Sequence, residues 1–250
     1  MLDLAVDAIG VATARAGHQP VAALADDYVL PLARLVAEAG GIPLERIWML
    51  AADGGADLAT HALASLGAPA AGEPLFLVRS GPLRDPYVVE LARLVHEADW
   101  PGEDLGITHL DELGGTVVFD LLDWAVEGGA TALICDEPQY TDALADRVPL
   151  AAVALRLRRG RGPLRVLGSG EGAPGSGFRG LTFPGSRACD SWIALHAALA
   201  AGEIADGEKV LLHTRGPARE GWLAMEAVDV AAVRLARGAD AAARTESRVP

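Results

Sequence analysis

Cysteine is close to absent from this chain: Cys135 and Cys189 are the two thiols in 250 residues. Two isolated cysteines inside apolar stretches make neither a disulfide framework nor a metal site, and they suit a reducing compartment. Positive charge is scarce too. Against 34 Asp and Glu stand 21 Lys and Arg, a formal net charge of −13 at pH 7. A surface of that sign repels phosphate backbones, which argues against nucleic acid as a partner. The opening segment MLDLAVDAIG lacks the basic flank and long apolar run of a signal peptide. No uninterrupted apolar run reaches the roughly 20 residues of a membrane-spanning helix. The expected setting is cytoplasmic. Gly168–Gly180 is glycine-dense but has no Lys-Ser/Thr step and no helix directly after it, so it is not a phosphate loop. No cofactor and no metal are expected.

What is present is a large apolar fraction, 51% of residues, ample for a sizeable core. Strand patterns fall at Leu4–Ala12, Arg46–Ala52, Pro74–Arg79, Ala130–Asp136, Ala151–Leu157, Leu164–Leu167, Lys209–Thr214 and Trp222–Val228. Helical spacing falls at Val21–Ala39, Asp57–Leu66, Asp85–Ala98 and Ser191–Ala201, with Pro31 inside the first and Pro86 at the start of the third. Gly168–Gly180 reads as a mobile loop, and residues 236–250 as a frayed tail. Strands alternating with helices predict an α/β layered fold. No internal sequence repeat is visible.

Two longer segments carry the functional reading. Gly106–Gly129 (GITHLDELGGTVVFDLLDWAVEGG) reads as strand, tight turn and apolar helix, and runs into the strand Ala130–Asp136 (ATALICD). Gly185–Glu226 gives helix, strand, glycine turn and strand. Together they resemble the ketoacyl-ACP synthase III branch of the thiolase-like superfamily. The resemblance implies a thiolase-like layered fold (α-β-α-β-α), shortened in its second half. It implies one domain over 1–235, with pseudo-related halves of about 1–157 and 158–235.

The resemblance also implies four catalytic elements, and each is altered. The nucleophilic Cys of such enzymes sits at a helix N-terminus, where the dipole and free N–H groups lower a thiol pKa and hold an oxyanion. Here that position falls near Leu113, and residues 111–115 contain no Cys, Ser or Thr. The catalytic Asn position matches Ser186, which keeps a hydroxyl but loses the amide donor. The stretch that bears the catalytic His is missing between Leu167 and Gly185. A glycine-rich turn that supplies an oxyanion N–H matches Gly216-Pro217, and proline has no N–H to give.

Replacement groups are weighed residue by residue. His109 and Asp111 form an acid/base pair if the strand extends through them, with Leu113 on the same face and Glu112 turned away; otherwise they are the polar end of a strand. Cys189, at a helix start beside Arg187 and Asp190, is either a relocated nucleophile or a packing thiol. His213 and Arg215 share a strand face. With Gly216 they form a candidate substrate-binding edge, with Arg215 reaching a carboxylate or phosphate, or pairing instead with Glu220 or Glu226. Asp136 and Glu137 close a strand, as ligand or structural groups. Arg156, Arg158, Arg159, Arg161 and Arg165 are either a carrier-docking patch or a solvated edge.

The expected function is a catalytically degenerate ketosynthase-like partner subunit in polyketide or fatty-acid-like biosynthesis. Decarboxylative condensation by this chain alone is not expected. The resemblance implies pairing with an active ketosynthase-like chain, or with itself, through the strand after the nucleophile helix, at Ala132, Leu133, Ile134 and Cys135. An acyl carrier protein or acyl-CoA is a further expected contact. Two other readings stay open: an acyltransferase, cyclase or hydrolase acting on an acyl thioester, and a non-catalytic acyl-binding module.

Overall fold

A computed structural model describes residues 2–15, 18–21, 29–50, 57–80, 90–108, 110–137, 140–142, 149–217 and 219–237. In chain order the elements begin with β1 (Leu4–Arg15), β2 (His18–Pro20), α1 (Val29–Gly40), β3 (Ile47–Leu50), α2 (Leu58–Ser65) and β4 (Leu75–Arg79). Next come α3 (Glu90–Glu97), β5 (Asp104–Ile107), a 3-10 turn (Asp111–Gly115), α4 (Val118–Ala125), β6 (Gly129–Asp136), β7 (Tyr140–Asp142) and β8 (Pro149–Arg159). The rest is β9 (Leu164–Glu171), β10 (Leu181–Gly185), α5 (Asp190–Ala200), β11 (Lys209–Arg215), β12 (Glu220–Ala227) and β13 (Arg234–Arg237).

Ten strands form one mixed sheet in the order β10-β11-β12-β9-β1-β8-β6-β4-β5, with β13 parallel to β1. This order contains a repeat that the sequence hides. Number the first-half strands β1, β4, β5, β6, β8 from one to five. They then lie in the order 3-2-4-5-1, with parallel β4–β5 and β4–β6 pairs and antiparallel β6–β8 and β8–β1 pairs. In the second half β9, β10, β11 and β12 occupy positions 1, 2, 4 and 5 with the same directions. Among the described residues position 3 has no counterpart there: β10 leads through Ser186–Cys189 straight into α5. The halves join where β1 meets β9, at Ala5↔Arg165 and Val6↔Leu164.

The helices follow from the apolar faces. β6 and β8 are almost continuous apolar runs and are buried on both faces, as central strands require. On one face α2 and α3 cover Leu75, Leu77, Leu133 and Cys135. On the other, α4 and α5 pack with residues of both halves, including Ile134, Val153, Leu212 and Leu223. The two helices sit between the halves, with Phe119 stacked on Trp192 at 5.7 Å. Asp57 caps α2 by accepting the Thr60 N–H at 3.0 Å, and Arg93 of α3 binds the same carboxylate at 2.7 Å. A small sheet, β2-β3-β7, makes its own core with α1 through Val21, Ala33, Ala37 and Ile47.

Several sequence expectations change. The strand expected at Leu164–Leu167 continues through Gly168–Glu171 into the supposed loop. The Trp222 indole lies over its glycines; a Cβ on Gly170 would sit 3.1 Å from that ring, a tight contact, and one on Gly168 at an ordinary 3.6 Å. β10 and β13 were not anticipated: both are short, and Pro184 breaks the strand signal in the first. β13 carries ordered structure to Arg237, and residues 238–250 of the expected tail lie outside the described residues. The expected helical stretches 22–28 and 85–89, including Pro86, also lie outside them. No described helix is long and apolar enough to cross a membrane.

His196 ties β13 to α5 through a 3.1 Å hydrogen bond between Nε2 and the Ala236 carbonyl. Burial holds its pKa below the ordinary histidine range, against the pull of that carbonyl. The folded state therefore favours neutral His196, and the stability this adds is full above about pH 6.5 and falls as the pH drops below it. The free energy of unfolding in urea is expected to fall more steeply between pH 7.5 and 5.5 in the unaltered chain than in His196→Gln. Equal falls would refute the coupling.

Candidate functional site

The corner between β5 and α4 is the place where the sequence resemblance puts chemistry. β5 ends at Ile107, and Asp111 has a positive φ of 48°, so the chain leaves the strand before it reaches the corner. The strand alternation expected for Asp111 and Leu113 is thus overturned: both lie on the 3-10 turn, Asp111 exposed and Leu113 fully buried. His109 lies outside the described residues.

Three stretches converge on Leu113. Gly221 of β12 approaches so closely that a Cβ there would lie 2.8 Å from the Leu113 side chain. Gly115 packs directly against the Ala188 carbonyl, and its own carbonyl accepts the Trp192 Nε1–H at 2.7 Å. Glu112, missed as a structural group in the sequence, fixes the β11–β12 hairpin: its Oε1 accepts the Arg219 N–H at 3.1 Å, and it fills the space a Gly216 side chain would need. Arg219 in turn grips Glu171 with two bonds of 3.0 Å, and this holds the Glu171 carboxyl below its usual range.

Three hydroxyls that sequence reasoning also missed surround this packing. Thr116, Ser191 and Thr214 are each at most 1% exposed. Thr116 Oγ1 donates to the Leu113 carbonyl at 3.3 Å. Among the described residues Ser191 Oγ and Thr214 Oγ1 have no hydrogen-bond partner. Register carries the set together, since Thr214 pairs with Gly185 on one side and Gly221 on the other. Thr116 directly follows the 111–115 stretch that holds no Cys, Ser or Thr. A hydroxyl needs a base to become one. Glu112 is committed to the hairpin backbone, and His213 lies on the opposite face of β11 from Thr214.

The remaining candidates are placed as follows. Cys189 is fully buried, its Sγ 3.4 Å from the Ile134 carbonyl, and burial with the nearby Asp136 charge pushes its thiol well up. Of the two readings of Cys189, relocated nucleophile and packing thiol, this burial favours the packing thiol. Arg187 turns instead to Asp136, at 2.7 Å, and to the Asp136 and Pro149 carbonyls. Burial raises the Asp136 carboxyl despite that partner. Burial likewise raises the Cys135 thiol. Ser186 is exposed and gives its N–H and hydroxyl to Asp190 at 3.0 and 2.9 Å, closing the start of α5. Pro217 sits on the exposed hairpin tip. His213 and Arg215 converge on Glu220 at 2.6 and 2.8 Å, and their hydrogen bonds, that of Arg215 first, lower its pKa. Four of the arginines proposed as a docking patch have internal partners: Arg156 with Glu73, Arg158 with Asp7, Arg159 with Asp3, and Arg165 with Glu226.

The interface expectation needs a correction. Ala132, Leu133, Ile134 and Cys135 belong to β6, which pairs with β4 on one side and β8 on the other. Their side chains are at most 1% exposed. Their apolar character comes from burial on both faces within the chain, so this strand offers no edge to a partner.

No family model and no curated protein sequence matches the chain. Solved structures do. Over 90% of this chain and 98% of the other, it superposes on the acyltransferase ChlB3 with a TM-score of 0.59 at 13% identity. The tetronic acid condensing enzyme AbyA1 gives 0.56 at 13% identity, over 89% of this chain and 99% of its own. PksG, an HMG-CoA synthase from Bacillus, gives 0.62 at 9% identity, over 93% and 81%. The fold is thiolase-like. In this thiolase-like chain the shortening falls on the second half, at the missing third strand and the direct passage from β10 to α5.

The corner behaves as core. Leu113→Ala is expected to lower unfolding free energy by about 2–5 kcal/mol in urea titrations, the range for emptying a leucine site. A change below about 0.5 kcal/mol, typical of surface positions, would refute its packing role.

Proposed function

We propose that this chain is a non-elongating partner subunit that pairs with an active ketosynthase-like protein in polyketide or fatty-acid-like biosynthesis. The observation that carries the reading is Leu113, a fully buried side chain at the corner, locked beneath Gly221 and the Glu112–Arg219 contact. A nucleophile needs access and a lowered pKa, and this corner supplies neither. The neighbouring structures, named as an acyltransferase, a condensing enzyme and an HMG-CoA synthase, support an acyl-transfer or condensation setting. On this reading the partner supplies the chemistry and meets the acyl carrier protein or acyl-CoA.

The test has two arms. The chain is first incubated with an acyl-CoA and its intact mass measured; no covalent acyl adduct is expected. It is then co-expressed with the ketosynthase-like proteins encoded beside its gene, and native mass spectrometry is expected to show a one-to-one complex. Stoichiometric acylation of Cys189 or Thr116 would sink the reading in favour of an enzyme of altered chemistry. Failure to associate with every such neighbour would sink it as well.

A further inference from the structure

We propose that three buried hydroxyls, those of Thr116, Ser191 and Thr214, form a binding site for one internal water, which joins the corner to α5 and to the strands of the second half. The site lies inside this chain and is independent of the partner-subunit reading.

Strand alternation puts Thr214 on the face of β11 that also carries Val210 and Leu212, the face packed against α5. Thr214 is the middle of a row of three in register, with Gly185 of β10 on one side and Gly221 of β12 on the other. Neither neighbour has a side chain, and an oxygen from above the sheet enters each gap. A Cβ on Gly185 would lie 2.6 Å from Ser191 Oγ, and one on Gly221 would lie 2.9 Å from Thr116 Oγ1. Ser191 and Thr116 therefore flank Thr214 at a spacing set by the sheet, whose strands are about 4.8 Å apart.

That spacing is too long for a direct hydrogen bond, and Ser191 Oγ and Thr214 Oγ1 accordingly bond to no described group. One water spans it easily, since two legs of about 2.8 Å reach about 5.6 Å. Leaving both hydroxyls dry and unpaired in a core is costly. The surroundings are closed to solvent: the three hydroxyls are at most 1% exposed, and Leu113, against Gly221, is fully buried.

The donor and acceptor balance selects the occupant. Ser191 and Thr214 each have a hydroxyl proton to give. Thr116 gives its own to the Leu113 carbonyl at 3.3 Å and keeps its lone pairs. A water accepts from the first two and donates to the third, and about three bonds are usual for a buried water. The three groups are neutral, and the Oε1 of nearby Glu112 is held by the Arg219 N–H. The site therefore takes a small neutral donor–acceptor and not an ion.

The test compares the full chain with Ser191→Ala, Thr214→Val, the double variant and Thr214→Ser. Urea titrations read the folding constant, and magnetic relaxation dispersion of the solvent oxygen counts long-lived internal waters. With a bridging water, each of Ser191→Ala and Thr214→Val is expected to lower the folding constant about tenfold, because the groups left behind lose a partner. The double variant should lose less than the two single losses combined. The water count should fall by about one in the double variant and stay unchanged in Thr214→Ser, which keeps the hydroxyl. A dry site has the opposite sign: Thr214→Val then removes an orphaned polar group and raises the folding constant. That rise, additive single losses, or an unchanged water count in the double variant would each overturn the proposal. None of these readings involves a ketosynthase or an acyl-CoA, so their failure leaves the partner-subunit reading to its own two arms.

Discussion

Two helix starts meet backbone to backbone at the centre of this protein, and the contact admits no side chain. Gly115 lies against the Ala188 carbonyl, and the Trp192 indole returns a hydrogen bond to the Gly115 carbonyl. From that point α4 and α5 diverge between the two halves of the sheet, with Phe119 stacked on Trp192. Leu113, Val118 and Leu122 are fully buried around the same contact. Burying one such aliphatic side chain contributes about 1.5–3 kcal/mol. The corner is thus filled by the packing that keeps the halves together.

Arginine organises much of the rest. In an acidic chain, most cations with defined partners are ties between elements. Arg156 binds the buried Glu73 carboxylate and the Gly67 carbonyl, and its guanidinium lies 5.7 Å from the Trp100 ring centre. Thr131 donates to the same carboxylate. This one network fastens the loop before β4 to β6, β8 and the end of α2. Arg159 reaches the carbonyls of Asp123 and Val126, and Arg187 those of Asp136 and Pro149. A planar fork of five donors can serve several acceptors at once, which a lysine ammonium does less well. Buried ion pairs of this kind add little net stability over an apolar replacement, so their contribution here is register and element position.

The sequence made the layered character plain because β6 and β8 are almost continuously apolar and α1, α3 and α4 carry clear helical spacing. It concealed the strand order. Whether a buried strand is central or terminal depends on partners far along the chain, and Ala130–Asp136 looks the same in either place. Gly168–Glu171 was unreadable as strand because its cover, the Trp222 indole packed tightly over Gly170, lies more than fifty residues away in sequence. At the corner, the absence of a thiol was legible. The role of Glu112 was not, since its partner is a backbone N–H at Arg219. Thr214 and Ser191 could be placed on a strand and a helix from the pattern, but only the β10–β11–β12 register brings them beside the corner.

The missing third strand also shapes how the chain is made. In the second half the neighbours β11 and β12 are joined by a hairpin, and β10 lies one helix away from β11, so most of its closures are short. The first half closes when β1 pairs with β8, where Leu4 meets Arg159. Long closures carry the larger entropic cost and are made late. Of the first-half strands β1 therefore waits the longest for its neighbour, and its edge stays open until β8 follows it in the chain.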